Sequence, residues 1–341
     1  MERELTIVVD GMGGDNAPAC NIEGVVNALN EREGFRIIMT GDEEALMQGL
    51  SSYRYPKERL TIRPTTQVIA MAEPPVSAIH GKKDSSIVVG MGLVRKGEAD
   101  AFVSAGSTGA VLVGGQLLVG RLKGVHRPPL ACIIPTEKGM TCVVDCGANV
   151  DARPEWLIQF ARMGSVYVEN MLGIKAPTVG LLNIGAEEEK GNALVKETMP
   201  QLKACPDIHF TGSVEARDVP SGAVDIVVTD AFSGNVLLKM YEGTASALLH
   251  IIKKTLKSSV KTMIGGALIQ GALKETLKRY DASNYGGAPL LGLKGLVVKA
   301  HGSSSAAEIC TSIFQCLEFS EKDINGKIRR ALEDAAVKAE A

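Results

Sequence analysis

The residues able to do chemistry fall in six short polar, glycine-rich runs, each directly after an apolar, β-branched stretch. They are Asp10-Gly11-Met12-Gly13-Gly14-Asp15-Asn16-Ala17-Pro18, Ser104-Ala105-Gly106-Ser107-Thr108-Gly109, Asp145-Cys146-Gly147-Ala148-Asn149, Asn183-Ile184-Gly185 with Lys190-Gly191-Asn192, Asp230-Ala231-Phe232-Ser233-Gly234-Asn235, and Ala300-His301-Gly302-Ser303-Ser304. Small residues let an oxyanion reach the backbone. Ser107-Thr108, Ser233–Asn235 and Ser303–Ser305 also lead into predicted helices, whose free N–H groups and positive dipole end attract anions. Ser, Thr and Asn cap helices generally, so any one run taken alone reads first as plain capping. Together they predict a small-molecule site at the carboxyl ends of strands. Phosphate or substrate contacts are expected from Asp10, Gly13, Gly14, Asp15, Asn16, Gly106, Ser107, Thr108, Asn149, Asn183, Ser233 and Gly234. His301 suits acid–base work or phosphate contact, with a structural histidine as its alternative. Lys190 suits polarising a carbonyl oxygen, although after Glu187-Glu188-Glu189 it also reads as a solvated charged turn. Asp230 and Asp145 end apolar strands, where a carboxylate needs a partner.

Several chemistries are disfavoured. Gly11-x-Gly13 is followed by Asn16 where the dinucleotide fingerprint wants glycine, and Asp10 and Asp15 would repel a pyrophosphate. The chain has no G-x-x-x-x-G-K-[ST], no G-x-S-x-G elbow and no H-E-x-x-H. Cys142 and Cys146 are four apart in a strand-like run, a poor zinc spacing. These motifs therefore give no reason to expect a zinc site or a nicotinamide dinucleotide.

These runs need strands to carry them. Candidates are Leu5–Val9, Arg36–Thr40, Leu60–Arg63, Ala101–Ser104, Ala131–Pro135, Thr141–Asp145, Thr178–Asn183, Ile208–Gly212, Asp225–Thr229 and Gly295–Lys299. Helical patterns lie between them at Asn21–Arg32, Thr108–Leu122, Pro154–Leu172, Ala193–Lys203 and Val236–Lys257, and Ser305 with Glu308 has capping-box spacing. The alternation predicts an α/β fold with a largely parallel sheet. Ala131–Pro135 and Thr141–Asp145 read as a hairpin. We expect one unit over residues 1–341, with two lobes possible near residue 150. The 45% apolar and 22% charged composition is that of a globular chain. A net charge of −2 and only 4% aromatics argue against nucleic acid. Seven cysteines, mostly in apolar runs, predict reduced thiols. Met1–Glu4 leads straight into a strand, so no secretory signal is expected, and a cytoplasmic protein is.

One segment departs from this charge balance. His250 to Tyr280 carries six lysines and one arginine against Glu275, a local +6. Leu248, Ile252, Leu256, Val260, Met263, Ile264, Ala267 and Leu268 follow helical spacing, and Gly265-Gly266 and Gly271 are the expected breaks between two helices. Lys253, Lys257, Lys261, Met263, Ile264 and Leu268 are candidates for contact with an acidic protein or an anionic membrane. A helical hairpin in a dimer core is the structural alternative.

The loops Asp10–Pro18, Gly106-Ser107-Thr108-Gly109, Asn149 through Ala152-Arg153-Pro154, Asn183-Ile184-Gly185-x-Glu187-Glu188-x-Lys190-Gly191, Asp230–Asn235 with Lys239 and Glu242-Gly243, and Tyr285-Gly286-Gly287-Ala288-Pro289-Leu290-Leu291-Gly292 through His301-Gly302 resemble the PlsX-type phosphate acyltransferases. The resemblance runs from about residue 4 to about residue 320; Gly11 departs from the alanine usual there. It implies transfer of a fatty acyl group from acyl-acyl carrier protein to inorganic phosphate at the start of phospholipid synthesis. It also implies a homodimer and hand-over of acyl phosphate to a membrane-bound glycerol-3-phosphate acyltransferase. The implied fold is a three-layer αβα unit related to isocitrate/isopropylmalate dehydrogenases and phosphate acetyltransferases, with a protruding helical hairpin. The protein is then expected at the inner face of the cytoplasmic membrane. For this reaction we assign catalytic roles to Lys190, His301, Asp230 and Asn235. An enzyme using acyl-coenzyme A, and a non-catalytic carrier- or membrane-binding regulator, are the alternatives. A covalent acyl-Cys146 is disfavoured, since no base stands near it in sequence.

Overall fold

The computed structural model describes residues 4–279 and 286–340. Tyr280, at the end of the basic segment, and Tyr285, at the start of the last motif, lie outside the described residues. The strands are β1 (Leu5–Asp10), β2 (Phe35–Gly41), β3 (Leu60–Pro64), β4 (Ala101–Ser104), β5 (Ala131–Thr136), β6 (Gly139–Val144), β7 (Val179–Asn183), β8 (Phe210–Glu215), β9 (Ile226–Val228), β10 (Ala288–Leu290) and β11 (Leu296–Lys299). The helices are α1 (Ala19–Glu31), α2 (Glu43–Leu50), α3 (Pro75–Gly81), α4 (Ser86–Arg95), α5 (Thr108–Gly114), α6 (Pro154–Met171), α7 (Ala193–Lys203), α8 (Ala231–Leu256), α9 (Val260–Arg279), α10 (Ala306–Glu321) and α11 (Ile324–Glu340). Each expected strand is present. The expected helix Thr108–Leu122 is α5 followed by a wider π turn over Gly115–Val119.

The strands form two sheets rather than one, ordered β10-β11-β4-β1-β2-β3 and β5-β6-β9-β7-β8. Neighbours pair in parallel except β10 with β11 and the predicted hairpin β5–β6. The sheets meet edge to edge at the Leu130–Leu290 bridge. Pro129 and Pro289 flank and occupy that junction; lacking N–H groups, they stop the ladder from continuing.

Alternating strand residues explain the layers. In the first sheet Ile7, Val9 and Val103 face α1 and α10, whereas Val8 and Phe102 face α4 and α5. In the second, Cys142, Val144 and Leu181 pack toward α6 and α7, while Val143 and Val227 face the side of α8 that carries Leu237 and Tyr241. The three-layer expectation therefore holds, and the carboxyl ends of β1, β4, β11, β6, β9 and β7 share one rim.

α8 and α9 form the expected hairpin, but the break falls elsewhere. The chain turns at Lys257–Ser259, where Ser259 and Thr262 exchange hydrogen bonds that start α9. Gly265, Gly266 and Gly271 lie inside α9. Gly266 is a packing glycine: a Cβ there would stand 3.4 Å from Leu256 of α8. Among the described residues no helix is long and apolar enough to cross a membrane.

Candidate active site

Two cavities open on the rim, one on each side of the first turns of α8. The polar one, about 520 Å³, is lined by Thr108, Asn235, Lys239, Lys299 and His301, with Cys132, Cys146 and Gly286–Ala288 behind them. The apolar one, about 1060 Å³, runs along Phe232, Val236, Met240 and Leu248 and is walled by Ile184, Val195 and Pro220. Asn183, Asp230 and Ser233 line its inner end.

Lys299 is the group that sequence reading passed over. It ends β11, where an outward charge would be unremarked, yet it is only 7% exposed. Its ammonium donates to the carbonyl of Ala300 and, at 3.4 Å, to that of Ala105. Burial lowers its pKa to about 8; the nearby carboxylates of Asp10 and Asp15 oppose the shift. Asp10 is itself buried at the end of β1, which raises its pKa, while hydrogen bonds from Ser104 Oγ at 2.6 Å and Met12 N at 3.1 Å favour its charged form. The Asp10–Pro18 loop thus supports the polar cavity from behind. Asn21 donates to the carbonyls of Asp10, Gly11 and Gly13, and Asp15 N donates to Gly302 O. Gly13 must be glycine here, because a Cβ would lie 2.3 Å from Asp10 and 2.6 Å from Gly106 N. Gly14, Asp15, Asn16, Gly106 and Ser107 likewise border this support without lining either cavity. Ser107 caps α5 through Ala110 N.

His301 is exposed at the cavity mouth, with Nδ1 2.8 Å from Ser303 Oγ. Cys146 is buried in the wall of the same cavity, hydrogen-bonded to Leu130 O at 3.1 Å and in contact with Cys132 at 2.7 Å. Burial pushes its thiol well up, which makes it a poor nucleophile.

The start of α8 is closed by its own cap. Asp230 accepts from Ser233 N and Ser233 Oγ, both at 2.9 Å, and Ala231 N donates to Asn149 O. Those N–H groups are already used, and Gly234 serves packing: a Cβ there would lie 2.0 Å from Asp145 O. Asn149 spends its amide on Pro128 O and Asp145. Asp145 in turn accepts from Leu130, Gly147, Ala148 and Asn149, a buried knot whose pKa is raised by desolvation. Asn183 fixes the following loop, accepting from Ile184 N and donating to Lys190 O and Ser213 Oγ. Lys190 pairs with Glu187 at 2.8 Å in solvent and lines neither cavity. The structure therefore gathers Thr108, Asn235 and His301 in one cavity and Asn183, Asp230 and Ser233 in the other.

A family model described as fatty acid synthesis protein matches residues 5–327. Among similar proteins, a phosphate acyltransferase of Clostridium botulinum is 47% identical over 330 residues, covering 96% of this chain and 99% of the relative. One from Clostridioides difficile is 47% identical over 335 residues, covering 97% and 98%. The chain belongs to this family, the PlsX-type phosphate acyltransferases. Membership makes it an enzyme, an acyltransferase. The fold is also that of a phosphotransacetylase from Streptococcus pyogenes, with a TM-score of 0.58 at 18% identity, covering 98% of this chain and 95% of that one. The EutD phosphotransacetylase of Staphylococcus aureus gives 0.54 at 16% identity, covering 97% and 94%.

Proposed function

We propose that the protein transfers a fatty acyl group from acyl-acyl carrier protein to inorganic phosphate, giving acyl phosphate for phospholipid synthesis. The observation that carries this reading is the pairing of a lysine-lined polar cavity with a long apolar groove across the first turns of α8. The groove suits an acyl chain, each buried CH₂ contributing about 0.8 kcal/mol. The polar cavity suits phosphate, held by Lys299, Lys239 and Thr108. A phosphate oxygen attacks the thioester carbonyl, the new C–O bond forms, the C–S bond breaks, and the thiolate leaves with the carrier. No enzyme nucleophile is needed; the protein positions the partners and stabilises the oxyanion. His301, exposed at the mouth, would serve to protonate the departing thiolate. The basic, apolar hairpin supports contact with an anionic membrane surface, where the product is consumed.

The test is incubation of the purified protein with acyl-acyl carrier protein and phosphate, trapping acyl phosphate as its hydroxamate. Product formation with the carrier substrate supports the reading. Absence of product from folded protein overturns it, and product from acyl-coenzyme A alone transfers the assignment to that donor.

A further inference from the structure

Three arginines and a tryptophan line a third hollow that the reaction does not use. Gln116, Leu117, Arg121, His126, Arg127, Arg153, Glu155 and Trp156 line a pocket of about 630 Å³. Arg127 lies 5.2 Å and Arg153 5.6 Å from the centre of the Trp156 ring. Arg127 also donates to Gln116 at 3.1 Å, and Arg121 donates to His126 O. The loop carrying them is pinned to α6: His126 N donates to Gln159, and Gln159 donates to Gly124 O, both at 2.9 Å. Among the described residues none of the three guanidiniums has a carboxylate partner, although Glu155 lines the same pocket. These are pre-ordered, unneutralised cations, the arrangement that recognises carboxylates or phosphate bidentately.

The pocket adjoins the polar cavity. Leu130 lines that cavity three residues after Arg127, so their Cα atoms are at most about 11 Å apart. Pro128 between them is tied to the cavity loop through Asn149 at 3.0 Å. The hollow is far larger than one phosphate, and the Trp156 ring already carries two guanidiniums, leaving donor edges rather than a bare face for a nucleobase.

We propose that Arg121, Arg127 and Arg153 form the docking socket for an acidic protein, the carrier that delivers the thioester, and thereby leave the basic hairpin to the membrane. This rests on the acyl-transfer reading. A rim of cations acts mainly on encounter and carrier affinity rather than on the chemical step. In the Arg127→Glu/Arg153→Glu double variant, KM for acyl-acyl carrier protein should rise about tenfold or more, and its salt dependence should flatten. kcat should hold, as should both constants for a small acyl-N-acetylcysteamine thioester. Titration of the wild type and the variant with unacylated carrier should show the same loss of affinity. Unchanged KM and carrier affinity in a variant with wild-type Tm would overturn the socket while leaving acyl transfer intact. An equal loss on carrier and small thioester would overturn it too, by placing the arginines in the reaction itself. A wild type that makes no acyl phosphate from either thioester would remove both readings.

Discussion

Replacing Lys299 tests the site where its electrostatics are most exposed to measurement. Unfolded, this lysine holds its proton to about pH 10.5; folded, it releases it near 8 because burial disfavours the ammonium. Below pH 8 both states are protonated and the folded protein carries the full cost, about 3 kcal/mol. Between pH 8 and 10.5 the unfolded chain binds the additional proton, so this cost fades and the contribution of Lys299 to stability rises with pH. Lys299→Met removes the charge with little change of volume. At pH 7 it should stabilise the protein by about 1–3 kcal/mol, the lower end reflecting the cation that Asp10 and Asp15 then lack. The same variant should lose about 10²–10³-fold in kcat/KM, as for removal of one oxyanion donor. In the wild type, kcat/KM should fall above about pH 8 as the ammonium titrates. Lys299→Arg keeps its charge throughout and should abolish that limb; titration of phosphate itself is common to both proteins and cancels. Denaturant unfolding at pH 7 and 9.5, with the two pH–rate profiles, decides the matter. A Lys299→Met protein that is less stable at pH 7 and turns over normally would refute the reasoning.

Gly234→Ala forces a Cβ onto Asp145 O at 2.0 Å, so α8 must shift off the Asp145 loop; a loss of about 1–3 kcal/mol is expected in denaturant unfolding, and wild-type stability would show that the approach is not so close. Met263→Asp with Ile264→Asp should abolish binding to anionic vesicles and leave turnover on soluble carrier substrate intact, since both side chains are exposed on α9. Lost oligomeric state and activity in that variant, by sedimentation and assay, would instead put those residues in a subunit interface.

The strand set was legible because parallel strands buried on both faces read as continuous apolar runs. β10 was not: Ala288-Pro289-Leu290 has no β-branched residue and pairs only because β11 is already in place. α4 was hidden by Ile87-Val88-Val89, a strand-like run that tertiary packing against Phe102 and Val8 holds helical. The loops were found from their glycines, but their division between two cavities was not, since that depends on which face of α8 each residue takes. Phe232 and Val236 lie one side and Asn235 and Lys239 the other. Ser107, Ser233 and Asp230 illustrate the ambiguity of small polar residues: all three serve as or complete helix caps. Lys299 escaped because burial of a charge leaves no trace in sequence. The Arg121–Trp156 pocket escaped because its members are spread over two loops and two helices.

The apolar groove runs along α8 from Phe232 to Leu248. Phe232, Val236, Met240 and Leu248 line it, and all four are exposed apolar side chains. For an acyl chain lying in it, each methylene added along those turns would meet a further apolar side chain, at about 0.8 kcal/mol per buried CH₂. Affinity would then climb stepwise with chain length as far as the groove extends.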